Sequence, residues 1–199
     1  MNKAEPAKRP YRQLARAAAA QDMGNAIVSA FRDLLSERFY DEITLDDVAA
    51  AAGTTRQTII RRFGNKSGVL TAFTQRVGEE IEAHRASAAS GSVQEAARVL
   101  VSDYETTGDM VIRLLALEGR IADIEPTLET GRAGHRKWVE TTFGPLLQGL
   151  DRAERKDRIS QILVATDVWT WFLLRKTQKK SASETTRLIA SMIDRLLQA

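Results

Sequence analysis

Cysteine is absent from the 199-residue chain, which excludes a disulfide framework, a cysteine-ligated zinc site and a thiol nucleophile. Imidazoles are scarce: His84 and His135 are the two histidines. His84 follows Glu80 by one helical turn, but two ligands without a third are weak grounds for a metal, and His135 lies among Arg132, Arg136 and Lys137, poor company for a cation. Both are expected at the surface, with no metal site and no cofactor. Long hydrophobic runs are missing too. The longest nearly apolar stretch, 162–174, is interrupted by Asp167 and falls short of the ~20 residues that a bilayer crossing needs. The alanines after Arg16 give way to Gln21 and Asp22 without building a secretory core, so a cytoplasmic location is expected. P-loop, dinucleotide-binding, Ser-His-Asp and deaminase patterns do not occur, and no enzyme activity is expected.

Proline occurs at only four positions, 6, 10, 126 and 145, and no stretch alternates apolar and polar residues with period two. Apolar residues instead recur at three- and four-residue intervals, which predicts an all-α fold of about nine helices. With 43% apolar and 28% charged residues, one sizeable core or two small ones can form. Residues 1–20 read as a basic mobile arm carrying Lys8, Arg9, Arg12 and Arg16, residues 21–66 as a small helical domain, and 67–199 as a larger one. The spacing predicts helices over about 21–39, from Thr44 to a turn at Gly53, over 56–63, and onward from Asn65. A linker is expected at 87–92 (SAASGS). Further helices are expected over about 93–107, stopping at Gly108, then 109–122, 126–149, 151–178 and 182–198.

The net charge of +3 says little, but its distribution is uneven: residues 48–78 hold Arg56, Arg61, Arg62, Lys66 and Arg76 and no Asp or Glu. Such a window anticipates an anionic partner. It overlaps a helix-turn-helix spacing at about 44–63, in which Val48, Ala49, Ile59 and Phe63 face inward, Ala49 is small where two helices cross, and Gly53 lets the chain reverse. Thr44 and Thr55 have the chemistry of helix N-caps. Arg56, Gln57, Thr58, Arg61 and Arg62 are then left outside. A helix so equipped fits the major groove, where Arg reads guanine, Gln reads adenine and Thr touches a thymine methyl or a phosphate, while Lys66 can reach a phosphate. The plainer alternative is a helical hairpin with a solvated face.

The segments Glu37-Arg38-Phe39-Tyr40, Thr44 to Ala49, Ala52 to Phe63 and Asn65 to Leu70 resemble the N-terminal domain of tetracycline-repressor-type (TetR family) regulators, over about residues 21–77. The resemblance implies a three-helix DNA-binding domain followed by a helical-bundle domain for ligand binding and dimerisation. It also implies a homodimer that represses transcription at a palindromic operator and is released by a small effector. Phosphate contacts would fall to Thr44, Thr55 and Lys66, base reading to Arg56, Gln57, Thr58 and Arg61, and either role to Arg62. The chain departs from the family pattern at Phe39, where a Gly is usual, at Thr54, where a Val is usual, and at Ile60, where an aromatic is usual. A relative of architectural or replication-linked type, without an effector, is the second reading.

In the larger domain the last helix carries an apolar stripe of Leu188, Ile189, Met192, Ile193, Leu196 and Leu197, and the preceding one is apolar on more than one side, with Ile159, Ile162, Leu163, Thr166, Trp169 and Leu173 on one stripe and Trp171 and Phe172 projecting elsewhere. Helices apolar on two sides are buried on two sides. Ile162, Leu163, Thr166, Leu188, Ile189, Met192, Ile193 and Leu196 are therefore expected in a two-fold, four-helix dimer interface, the alternative being a monomeric bundle with a thick core. Tyr104, Met110, Leu114, Leu117, Trp138, Phe143, Trp169 and Phe172 are candidates to line a pocket for a mainly apolar ligand, with Tyr104, His135 and Asp167 as polar contacts.

Overall fold

The computed structural model describes residues 8–86 and 92–198, with side chains from residue 18 onward. Residues 1–7 of the expected arm and 87–91 of the expected linker lie outside the described residues. The chain divides into two compact units, 1–73 and 74–199, so the division falls inside a helix rather than at residue 66.

In the first unit, α1 spans Lys8–Glu37. It begins well before the expected start near Gln21, because the Ala-rich stretch 14–20 is strongly helix-forming and Pro10 falls in the first turn, where a missing N–H costs nothing. The helix ends before Phe39, which adopts an extended backbone (φ −71°, ψ 150°), so the chain turns without the left-handed residue a Gly would supply. Ile27, Phe31 and Leu35 are buried on one face. The Phe31 ring meets Tyr40 edge-on at 6.3 Å and Phe73 at 5.9 Å. Two short helices come next, α2 (Leu45–Ala51) and α3 (Arg56–Phe63). The helix after them, α4 (Lys66–Ala86), contributes its first two turns to this unit.

The second unit holds the rest of α4, α5 (Val93–Leu115), α6 (Glu125–Phe143), α7 (Arg152–Ala165), α8 (Val168–Phe172) and α9 (Ala182–Gln198). A wide π-helical turn, Leu173–Thr177, continues α8. Among the described residues there is no strand, and no helix is long and apolar enough to cross a membrane. The core forms where α5 packs along α9 and across α8, around Ala97, Leu100, Phe143, Ile162, Trp171, Ile189 and Ile193.

Two expectations fail around one indole. Gly108 does not stop a helix: α5 runs through it to Leu115, and a Cβ at Gly108 would overlap the Trp171 ring. The glycine is a notch that lets the indole lie on the helix. The expected helix 151–178 is likewise broken at Thr166 and Asp167. Thr166 donates its hydroxyl back to Ile162 O at 2.7 Å, its own carbonyl accepts from the Tyr104 hydroxyl at 3.0 Å, and Asp167 starts α8 by accepting from the Trp169 N–H at 2.8 Å. This break turns the later residues about the axis, so Trp171 is 1% exposed and Trp169 46%, the reverse of the uninterrupted stripe. The Trp171 indole N–H donates to Glu105 at 2.7 Å, and Arg175 donates to both oxygens of the same carboxylate at 2.7 Å. Those Arg175 hydrogen bonds first, and Trp171 after them, hold the Glu105 carboxyl below its ordinary range, against an opposing contribution from burial.

Candidate nucleic-acid interface

The geometry of α2 and α3 is fixed locally. The Thr44 hydroxyl accepts from the Asp47 N–H at 3.1 Å, and the Asp47 carboxylate accepts from the Thr44 N–H at 2.8 Å and from its hydroxyl at 2.7 Å. This reciprocal cap satisfies donors at the start of α2. It holds the Asp47 carboxyl below its usual range, chiefly through the Thr44 hydroxyl. Thr55 starts α3 in the same way, its hydroxyl accepting from the Thr58 N–H at 3.2 Å and lying 3.0 Å from the Thr58 hydroxyl. Gly53 (φ 62°) reverses the chain between the helices and Gly64 (φ 80°) ends α3, both in the left-handed region that suits glycine. Val48, Ala49 and Ile59 are buried between them, and Phe63 is half-buried.

With that face locked, Arg56, Gln57, Ile60 and Arg61 stand exposed on the outer side of α3, and Thr58 is half-buried beside them. Arg56 reaches Asp46 of α2 at 3.2 Å with both side chains largely in water, a pairing that contributes little. The exposed Ile60 adds an apolar surface among the polar ones. Thr44 and Thr55 are also exposed, although their hydroxyls already serve the caps.

One expected contact is corrected, and a second residue, Arg62, is exposed but already engaged. Lys66 points into the domain: its ammonium donates to Tyr40 O and Ile43 O, both at 2.8 Å, and sits 4.2 Å from the centre of the Tyr40 ring. Two carbonyls left over where the chain enters α2 hold it there, so it is not presented to a phosphate. Arg62 leans back on α1, donating to Ala20 O at 2.6 Å, and packs against Gly24 so closely that a Cβ there would overlap its guanidinium. Between these elements lies an open recess of about 470 Å³ lined by Ala20, Met23, Thr54, Thr58, Arg61 and Arg62.

The residues expected around a ligand in the second unit fall differently. Tyr104, Met110, Leu114, Leu117 and Phe143 are buried. Tyr104 lies 5.9 Å from the Trp171 ring, and Phe143 meets Trp138 edge-on at 5.6 Å. Burial pushes the Tyr104 hydroxyl well above its ordinary range. Trp169 is exposed and Phe172 half-buried, in edge contact with each other at 5.8 Å, so Trp169 does not line the domain centre.

Neither histidine is a free surface group. His84 Nδ1 is 2.6 Å from one oxygen of the buried Asp103, and Arg85 Nε donates to the other at 2.6 Å. His135 Nε2 is 3.0 Å from the Thr166 hydroxyl, and its ring stacks on Trp138 at 5.7 Å. Because the Thr166 hydroxyl proton goes to Ile162 O, the imidazole must donate through Nε2 and is neutral at Nδ1, which lies 3.4 Å from Arg85. Burial first, and the Arg85 charge second, hold its pKa at about 3. This network is not legible in the sequence, since it joins α4, α5, α6 and the α7–α8 break. No cluster among the described residues has the His, Asp or Glu set to hold a metal ion.

Of the expected dimer residues, Ile162, Thr166, Ile189 and Ile193 are covered by their own chain and so cannot meet a partner. Leu163, Leu188, Met192 and Leu196 are half-buried. The exposed apolar residues of α7, α8 and the π turn are instead Val164, Trp169 and Leu173, at 69%, 46% and 52%.

Residues 27–73 match the family described as bacterial regulatory proteins, tetR family. A stretch of 77 residues is 39% identical to the HTH-type transcriptional regulator AlkX of Mycobacterium tuberculosis, covering 38% of this chain and 35% of that protein, so the match spans about a third of the relative's length. Solved structures extend the likeness in fold to most of the chain. A transcriptional regulator from Rhodococcus sp. Rha1 superposes with a TM-score of 0.65 over 88% of this chain and 96% of its own, at 15% identity. A tetR-family transcriptional regulator from Streptomyces coelicolor does so with a TM-score of 0.66 over 89% of each, at 16% identity. The matching family is one of regulatory proteins, not of enzymes.

Proposed function

Because residues 27–73 match the family of bacterial regulatory proteins of tetR type, we propose that the chain is a member of that family and a transcriptional repressor that binds a palindromic operator as a homodimer and is released by a small, mainly apolar ligand. The observation that carries the reading is the outer face of α3, where Arg56, Gln57, Ile60 and Arg61 are exposed on a helix whose inner face is locked by Val48, Ala49 and Ile59. Arg61 and Arg56 have the donors for guanine, Gln57 for adenine, and Ile60 the apolar surface for a thymine methyl. Thr44 and Thr55, exposed where α2 and α3 begin, would meet phosphates while keeping their caps, and Thr58 would touch a base edge.

One such module reads only a few base pairs, and two held rigidly read half-sites about one helical turn apart. Val164, Trp169 and Leu173, with Leu163, Phe172, Leu188, Met192 and Leu196 beside them in α7–α9, offer the apolar surface for a two-fold pairing. The ligand would act by its differential affinity for two arrangements of the paired reading helices. The burial of Tyr104, Phe143 and Trp171 in one core cluster, as packing residues, favours the second reading, a DNA-binding protein without an effector.

Selection of bound duplexes from a random pool tests the main reading. A two-fold-symmetric site is expected, and Arg61→Ala should weaken binding to it by about 1–3 kcal/mol while relaxing the choice at one position in each half-site. Equal affinity for an isolated half-site would remove the dimeric part. Indifference of the protein to all duplexes at low salt would remove the whole.

A further inference from the structure

The helix-turn-helix of the first unit is closed at its base by one side chain. The chain enters α2 through Ile43 and leaves α3 at Gly64, and Lys66, the first residue of α4, reaches back to the entry with its two hydrogen bonds to Tyr40 O and Ile43 O. Residues 44–65, with α2, the turn and α3, lie between the two ends so joined. Tyr40 and Ile43 are 2% and 0% exposed, which leaves water no access to replace the ammonium. Tyr40 O also accepts from the Ile43 N–H at 3.3 Å, but Ile43 O has no other donor among the described residues. A lysine that swung out to a phosphate would leave this buried carbonyl unpaired, which is the costly part of breaking such a contact. The ammonium therefore stays in place when an anion arrives.

The far side of the same turn is held in a similar way. The Arg38 guanidinium donates to Glu42 O and lies 3.4 Å from the Asp47 carboxylate that caps Thr44. Carbonyls 40, 42 and 43 are thus all engaged by cations, and Thr44 is the next residue along.

Resting on the proposed DNA-binding role, we infer that Lys66 is a clasp: by joining the entry of α2 to the exit of α3, it sets where Thr44 stands relative to the outer face of the reading helix. It is a positioning residue and does not touch the duplex. A phosphate contact at Thr44 and base contacts from Arg56, Gln57 and Arg61 must be met together on one duplex, so a loosened clasp weakens binding although no contacting group has been removed.

The unaltered chain provides the first test. Its amines are acylated with a small water-soluble ester, with and without the duplex recovered by random-pool selection, and the extent at each lysine is read by mass spectrometry. Lys66 should react slowly beside the exposed Lys179, and no more slowly when the duplex is bound. Lys66→Met keeps the stem and removes the charge. Measured below the melting temperature of every variant, it should bind about three- to tenfold more weakly at low salt. The slope of log affinity against log salt should change by less than about 0.5, whereas loss of a phosphate-contacting lysine flattens it by about 1. The loss should nearly vanish in a Thr44→Ala background, because both changes act through one contact, and persist in full beside Arg61→Ala, which acts through another. A lysine that merely stabilised the fold would lower the melting temperature and leave the affinity of the folded protein alone.

Rapid acylation that the duplex suppresses would overturn the inference. So would a slope flattened by about 1, an undiminished loss beside Thr44→Ala, or full affinity in folded Lys66→Met. If that variant does not fold, the acylation of the unaltered chain decides. Arg61→Ala serves as the reference: if it weakens binding while Lys66→Met does not, only the clasp fails, and if the unaltered protein ignores duplexes, the proposed function fails first.

Discussion

The outer face of α3 and the core side of the second unit put their arginines to opposite uses. On α3 the guanidiniums of Arg56 and Arg61 stand in water, and the carboxylate at Arg56 is itself exposed. In the second unit Arg85 is buried against Asp103, and Arg175 commits two nitrogens of its guanidinium to Glu105. A solvated cation gains little from its neighbours and is available to an external anion. A buried one is committed, because its carboxylate partner already occupies the geometry that a ligand would need. A count of basic residues therefore locates a binding face only after the committed ones are subtracted: half-buried Lys66 is held by two carbonyls, and Arg62, though exposed, is engaged by Ala20 O.

The contrast is tested most severely by Asp103→Ala. It leaves the Arg85 guanidinium buried without its carboxylate, and the second unit should lose about 3–5 kcal/mol of stability in a denaturant titration. Arg61→Ala should change stability by no more than about 0.5 kcal/mol, so equal losses from the two variants would erase the distinction. Next in size, Gly108→Ala drives a methyl into the Trp171 ring and should cost about 1–3 kcal/mol by overpacking. Gly24→Ala, facing the end of a flexible side chain, should cost nothing.

Acidification separates the two uses further. His135 is held at about 3 in the folded protein, below the ~6.5 of a free imidazole. The unfolded chain takes up a proton as pH falls through about 6.5 and the folded one does not, so stability present at neutral pH is lost on acidification toward about 3. Thermal melts should show a loss of about 1–2 kcal/mol between pH 7 and pH 5, and His135→Gln should remove that portion of the dependence. The smallest effect belongs to Asp46→Asn, which frees Arg56: stability should move by less than about 0.5 kcal/mol, and duplex binding should tighten slightly.

Legibility in the sequence divides along the same line. The caps at Thr44 and Thr55, the turns at Gly53 and Gly64, and the buried set Val48, Ala49 and Ile59 all depend on neighbours a few residues away, and sequence spacing suffices to place them. Lys66 and Arg62 escape such reasoning because their acceptors are backbone carbonyls of Tyr40, Ile43 and Ala20, distant in the chain and without any side-chain signature. Gly108 has the look of a helix end because its purpose is set by an indole from α8. Trp169 and Trp171 change places because a threonine hydroxyl and a capping aspartate, rather than any proline or glycine, break the helix at 166–167. The all-helical class is readable in the described residues, while the exposed apolar surface at Val164, Trp169 and Leu173 and the imidazole network depend on how several helices meet.

The wide turn at Leu173–Thr177 bears on how the chain tolerates changes of length. A single deletion within a regular helix swings every later side chain about 100° around the axis, enough to exchange an inward residue for an outward one. A π turn already contains one residue beyond the regular pitch, so the loss of one amino acid there can be absorbed by closing the bulge. Natural variants of this protein that are one residue shorter should carry the gap at that turn, sparing α7 and α9.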